Sequence, residues 1–166
     1  MVQESKIACK KMISTGNLEI DRKMGGGIPF GTLMLVEGGA SSGKSSLVQQ
    51  LLWSALNTRE NVALYVTEQT VHSLLKQMAS LGLDVVDHFL MDRLRIFPVS
   101  VSRNDALDLK HLSRHMEEQA TAGVIAIDSL TTIVPWSDGE HIKDFLSECK
   151  GLCDSGKVVI CTAHED

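Results

Sequence analysis

Aromatic residues make up only 4% of this 166-residue chain, although 43% of it is hydrophobic. A core large enough for one domain can therefore form, but aliphatic side chains must fill it. No dense Lys/Arg run is present, and the formal net charge is −5. Both features argue against a dedicated nucleic-acid surface, which needs a basic face. No apolar run reaches the length of a membrane span. The N-terminus, "MVQESKIACKKM", carries charges where a signal peptide needs its apolar segment. These absences together predict a soluble cytoplasmic protein with no transmembrane segment.

The four cysteines, Cys9, Cys149, Cys153 and Cys161, include no Cys-x-x-Cys pair. A metal site is conceivable from Cys149, Cys153 and Cys161-x-x-His164, but buried thiols acting as small hydrophobes are the expected reading. His111 and His115 share a predicted helix face, but residue 112 is Leu rather than the Glu of a zinc-protease motif. They are read as surface histidines.

What the chain does have is an alternation of strand and helix patterns. Strands are predicted at Leu33–Glu37, Asn61–Thr67, Arg95–Ser100, Val124–Asp128 and Val158–Thr162. Pro98 puts the third of these at an edge. Helices are predicted over Lys44–Leu56, from a Thr70 cap with Val71, Leu74, Leu75, Met78 and Leu81 on one stripe, and over Leu83–Leu94. Two more are predicted. One starts at Ser102-x-x-Asp105, with Leu109, Leu112 and Met116 inward. The other opens at the Ser137-x-x-Glu140 capping box, with Ile142, Phe145, Leu146, Cys149, Leu152 and Cys153 inward and Gly156 as its stop. This order predicts an α/β fold, a parallel sheet with helices on both faces and a ligand at the carboxyl ends of the strands.

The chemistry begins at "LMLVEGGASSGKSSLVQQLL", which contains Gly38-x-x-x-x-Gly43-Lys44-Ser45. A glycine loop between a strand and a helix lets consecutive backbone N–H groups converge on one phosphate, and the helix N-terminus adds its dipole. The predicted nucleotide-binding residues are Gly38, Gly39, Ala40, Ser41, Ser42, Gly43, Lys44, Ser45 and Ser46. Lys44 can reach the β- and γ-phosphates, and the Ser45 hydroxyl can ligate Mg²⁺. Asp128 closes the apolar strand "VIAID", where a carboxylate can hold a magnesium-bound water or merely signal a turn. Ser129, next to it, is read as polar lining.

Glu68 ends the second strand. It is either a general base for the attacking water or an acid favouring the start of the next helix. Gln69 can orient a water but cannot take a proton. Thr162 and His164 end the last strand, as sensors of the γ-phosphate or as an ordinary polar cluster. The guanine-reading Asn-Lys-x-Asp pattern is absent, which favours ATP.

These residues resemble the RecA superfamily of P-loop ATPases, in its KaiC-like branch. The carrier is "ISTGNLEIDRKMGGGIPFGTLMLVEGGASSGKSSL", with its Ser-Thr-Gly, Ile20-Asp21 and Gly-Gly-Gly-Ile-Pro steps. Within the branch, "YVTEQTVHSLLKQMASLGLDVVDHFLMDRLRIFPV" and "FLSECKGLCDSGKVVICTAHED" resemble the archaeal flagellar (archaellum) accessory family FlaH. The resemblance implies one RecA/KaiC-like ATP-binding domain over residues 1–166. It also implies ATP and Mg²⁺ as ligands and a place at the cytoplasmic face of the membrane. The implied partners are the motor ATPase FlaI and membrane-associated motor components, and homo-oligomeric rings are implied when the chain is full length. By position, Gly38–Ser45 is the nucleotide loop, Asp128 the second nucleotide motif and Glu68 the catalytic glutamate. Clock-type relatives carry a Glu-Glu pair where this chain has Glu68-Gln69, so the expected function is an ATP-binding regulatory or assembly subunit with slow or absent hydrolysis. An active RecA-type motor and a KaiC-like autophosphorylating kinase are the alternatives. In the family order the "VVICT" strand inserts between the loop strand and "VIAID", and further strands follow it, so a chain truncated at its C-terminus is expected.

Overall fold

The computed structural model describes residues 11–99, 109–133 and 139–165. Its centre is a five-stranded sheet of β3 (Leu33–Gly38), β4 (Val62–Val66), β5 (Leu94–Pro98), β6 (Val124–Asp128) and β7 (Val158–His164). Every pairing is parallel, in the order β3-β7-β6-β4-β5. The "VVICT" strand does insert between the loop strand and "VIAID", with Val36 opposite Thr162 and Ile125 opposite Val159. Pro98 ends β5 at one edge, where its missing N–H costs no sheet bond. At the other edge β3 leaves Leu33 and Leu35 39% and 57% exposed.

The central strands are buried on both faces, which is why they read as unbroken apolar runs. Their side chains alternate between two cores. Val62, Leu64, Val66, Val124, Ala126, Val158 and Ile160 pack under α2 (Lys44–Asn57) and α3 (Val71–Ser80). Ala63, Tyr65, Ile125, Ile127, Val159 and Cys161 pack under α5 (Leu109–Glu118) and α6 (Gly139–Asp154). The scarcity of aromatics is met as expected: Tyr65 and Phe145 are the only aromatic residues among the buried hydrophobic ones described.

The lead-in signature is scaffolding. Ser14 Oγ and the Thr15 N–H donate to the Asp21 carboxylate at 2.6 and 2.7 Å, which holds that carboxyl below the usual range. Asn17 caps the short α1 (Leu18–Lys23). A two-stranded ribbon of β1 (Met12–Ile13) and β2 (Ile28–Pro29) follows from "GGGIP". Gly27 sits at φ +125°, where a Cβ would overlap the Ile13 carbonyl, so the ribbon needs glycine there. Ile13 and Ile28 then enter the core beside α2.

Several expectations are corrected. The helix expected over Leu83–Leu94 is only α4 (Val86–Leu90), because Asp92 turns the chain at φ 56° and Leu94 pairs with Val62 as the first residue of β5. Leu81 is 47% exposed, since it is the C-cap of α3 and lies past its stripe. Leu146 is 42% exposed, one helical step round from the buried Phe145. His115 is half-buried rather than a free surface histidine: its Nδ1 lies 2.8 Å from the Tyr65 hydroxyl and its ring meets Phe97 edge-on. A buried phenol needs a polar partner, and α5 supplies it at this corner. His111 is exposed, as expected. Ser102, Asp105, Ser137 and Cys9 lie outside the described residues.

Cys149, Cys153 and Cys161 are buried free thiols in the aliphatic core. Burial pushes the Cys161 thiol up to about 12 and raises those of Cys149 and Cys153. Because the thiolate is the reactive form, Ellman's reagent at pH 8 is expected to miss all three in the native protein. It should label all three once guanidinium unfolds the chain. Labelling of any of them in the native state, followed by peptide mapping, would contradict this packing.

Candidate nucleotide site

The glycine loop joins β3 to α2 at the carboxyl end of the sheet. Ser41 and Gly43 take left-handed conformations, at φ 58° and φ 90°, which turn the chain sharply between β3 and α2. α2 then starts at Lys44 with no side-chain cap, so its first N–H groups stay available to an anion. Lys44 is 8% exposed and folds back over the loop. Its Nζ donates to the carbonyls of Gly38 and Gly39, both at 2.7 Å, and lies 3.4 Å from His164 Nδ1. Those carbonyls hold the ammonium where a phosphate would compete for it.

Asp128 ends β6 beside the loop and is 9% exposed. Its Oδ1 accepts from Thr162 Oγ1 at 2.6 Å and from Ser45 Oγ at 3.2 Å. Thr162 is fully buried, so its hydroxyl fixes the carboxylate. The result is a set of hard oxygen donors from three elements, Ser45 Oγ and the Asp128 carboxylate in front with Thr162 behind. That donor set fits magnesium, which prefers carboxylate and hydroxyl oxygen and keeps several waters.

Glu68 stands across the cavity, just past β4. Ser129 Oγ donates to its Oε1 at 3.2 Å, and His164 Nε2 lies 3.8 Å from the same oxygen. Its carboxylate side chain is 51% exposed. The strand ends that carry it are laced together: the Ser129 N–H donates to Thr67 Oγ1 at 2.9 Å, and the Thr67 N–H to the Asp128 carbonyl at 3.0 Å. His164 is placed by its own N–H, which donates to Thr131 Oγ1 at 2.7 Å. His164 thus lies between Lys44 and Glu68.

A cavity of about 280 Å³ is lined by Ser41, Ser42, Gly43, Lys44, Ser45, Ser46, Glu68, Gln77, Asp128, Ser129, Thr162 and His164. The fold therefore gathers most of the residues singled out in the sequence. Gly38, Gly39 and Ala40 are not in its wall; the first two serve through their carbonyls. Gln69 lines a separate cleft of about 890 Å³ with Thr70, His72 and Val99, and only Glu68 belongs to both. Gln77 was missed by motif reasoning, because it sits between Leu74 and Met78 on a helix whose apolar stripe gives no sign of a site.

The chain is similar to known proteins in sequence and in fold. The KaiC ATPase family model matches residues 13–161. The archaeal flagellar ATP-binding protein FlaH of Sulfolobus acidocaldarius is 30% identical over 160 residues, which cover 93% of this chain and 70% of that protein. FlaH of Methanocaldococcus jannaschii is 32% identical over 88% of this chain, and the chain spans 64% of that relative's length. The crystal structure of the flagellar accessory protein FlaH from Methanocaldococcus jannaschii superimposes with a TM-score of 0.77 at 30% identity, covering 88% of this chain and 66% of that one. Among the described residues no helix is long and apolar enough to cross a membrane. The chain belongs to the KaiC-like ATPases of the RecA superfamily, and among them to the FlaH family of archaeal flagellar proteins.

Proposed function

We propose that this chain is a single nucleotide-binding unit that holds Mg-ATP as a regulatory or assembly subunit of the archaeal flagellar motor, with slow or absent hydrolysis. The observation that carries the binding half is the meeting of Lys44, Ser45 and Asp128 at one helix N-terminus. The loop N–H groups and Lys44 bind the phosphates, and Ser45 with Asp128 would hold the magnesium. When bound, the metal would supply charge neutralisation to the nucleotide phosphates.

The slow half rests on the acid–base equipment. Of the Glu68-Gln69 pair only Glu68 can accept a proton, and Gln69 lines a different cleft. The Glu68 carboxylate is half-exposed and accepts from Ser129 Oγ, so solvent and the Ser129 hydroxyl compete with an attacking water for it. His164 and Thr162 are suited to report the γ-phosphate to the strand ends. In this reading the partners are the motor ATPase FlaI and membrane-associated motor components. The setting is then cytoplasmic at the membrane face, and self-assembly into a ring would read the nucleotide state.

The test is the fate of bound nucleotide. Protein mixed with Mg-ATP, passed over a desalting column and denatured is expected to release ATP. Recovery of ADP alone within minutes would overturn the slow-turnover reading, and recovery of no nucleotide would overturn the binding reading.

A further inference from the structure

Gln49 and Gln77 are the unexplained polar groups near this cavity. Gln49 lies on α2 one turn past Ser45, on the same helix face, and is 1% exposed. Its Nε2 donates to Gln77 Oε1 of α3 at 3.2 Å, while its own Oε1 is buried with no hydrogen-bond partner. Gln77 is the one residue of α3 in the cavity wall, beside Ser45, Ser46 and Asp128.

A strut between two helices would not be built this way. The α2–α3 contact already has Val48, Leu52, Leu74 and Met78 in the same core, and a buried amide with half its capacity unmet costs free energy that an apolar residue would not. Exchanging the ends of both amides still leaves Gln49 one partner short. As the amides stand, Gln77 Oε1 accepts one hydrogen bond from Gln49 and has a second lone pair for a donor in the cavity that Gln77 lines. Magnesium keeps several waters when it binds through few protein ligands, and each is a strong donor.

We propose that the Gln49–Gln77 amide pair is an outer-sphere support for the magnesium of bound nucleotide. Carbonyl oxygen from the pair accepts hydrogen bonds from water in the metal's shell, and α3 thereby registers whether the metal is present. The proposal rests on the Mg-ATP reading above. Gln77 is a positioning residue in it, with Gln49 holding its amide in place.

The test is calorimetric titration of ATP over a magnesium series and in EDTA, on the whole chain. Gln77→Leu is expected to raise the magnesium concentration for half-maximal ATP binding about tenfold, in the range found when outer-shell partners of metals are removed. Its ATP affinity in EDTA should match the wild type's. Gln77→Glu, which keeps an acceptor oxygen, should restore the magnesium response. Gln49→Met should weaken it in the same direction, with a melting temperature at or above that of the wild type because the orphaned oxygen is gone. A folded Gln77→Leu with an unchanged magnesium response overturns the proposal, as does an equal loss in EDTA. If Gln77→Leu does not fold, Gln77→Asn takes its place with the same two overturning results. Failure of the wild type to bind ATP in magnesium would sink the nucleotide reading instead, and it is seen in the first titration.

Discussion

Lys44→Ala is expected to lose nearly all affinity for Mg-ATP. The ammonium is almost completely buried and is held between two loop carbonyls, so it brings a desolvated positive charge to the centre of the loop. Charge-assisted bonds to phosphate are among the strongest a protein makes. Removing one side of a buried charge pair costs about 2–5 kcal/mol, which is roughly a 30-fold to several-thousandfold rise in Kd. The apo fold should survive, because Gly38 is half-buried and Gly39 exposed, so water can replace the ammonium at their carbonyls. Calorimetric titration with Mg-ATP checks the affinity, and thermal melting without nucleotide checks the fold. A Kd within a few-fold of the wild type's would mean that the phosphates bind elsewhere.

The second large effect concerns turnover. Glu68→Gln is expected to lower whatever hydrolysis the wild type shows by about 100-fold or more, the usual contribution of a positioned general base. Binding should be kept, because Gln can still accept the Ser129 hydroxyl that now bonds Glu68 Oε1. Steady-state phosphate release from the two proteins at saturating Mg-ATP makes the comparison. Equal rates would assign Glu68 to the cleft it shares with Gln69, or to the helix start at Thr70, rather than to chemistry.

Much of this site was legible because local patterns carry it. The spacing Gly38-x-x-x-x-Gly43-Lys44-Ser45 is a backbone requirement written in residues without side-chain obstruction. The run "VIAID" reads as a buried parallel strand with its carboxylate at the ligand end. What was not legible depends on tertiary geometry. The pairing of Tyr65 with His115 is set by where α5 crosses the β4–β5 corner, which no periodicity reveals. Helix spacing alone cannot show that Gln77 turns into the cavity while Leu74 and Met78 turn into the core. The expected helix at Leu83–Leu94 failed for a local reason: Leu90, Met91 and Leu94 keep a helical spacing across the charged turn at Asp92-Arg93, although Leu94 already belongs to β5. The Glu68-Gln69 pair was readable as a departure from the clock-type pattern, but not that Glu68 lines both clefts while Gln69 lines only the second.

The claim at the centre is that the loop binds nucleotide and is stabilised by it. The most direct measurement is the melting temperature of the protein with and without Mg-ATP at about 100 times Kd. A ligand bound only by the folded state adds about 2.7 kcal/mol under those conditions, which for a domain of this size raises the melting temperature by roughly 5–10 °C. The account predicts that rise for the wild type and its absence for Lys44→Ala. A melting temperature that Mg-ATP leaves unchanged would contradict it.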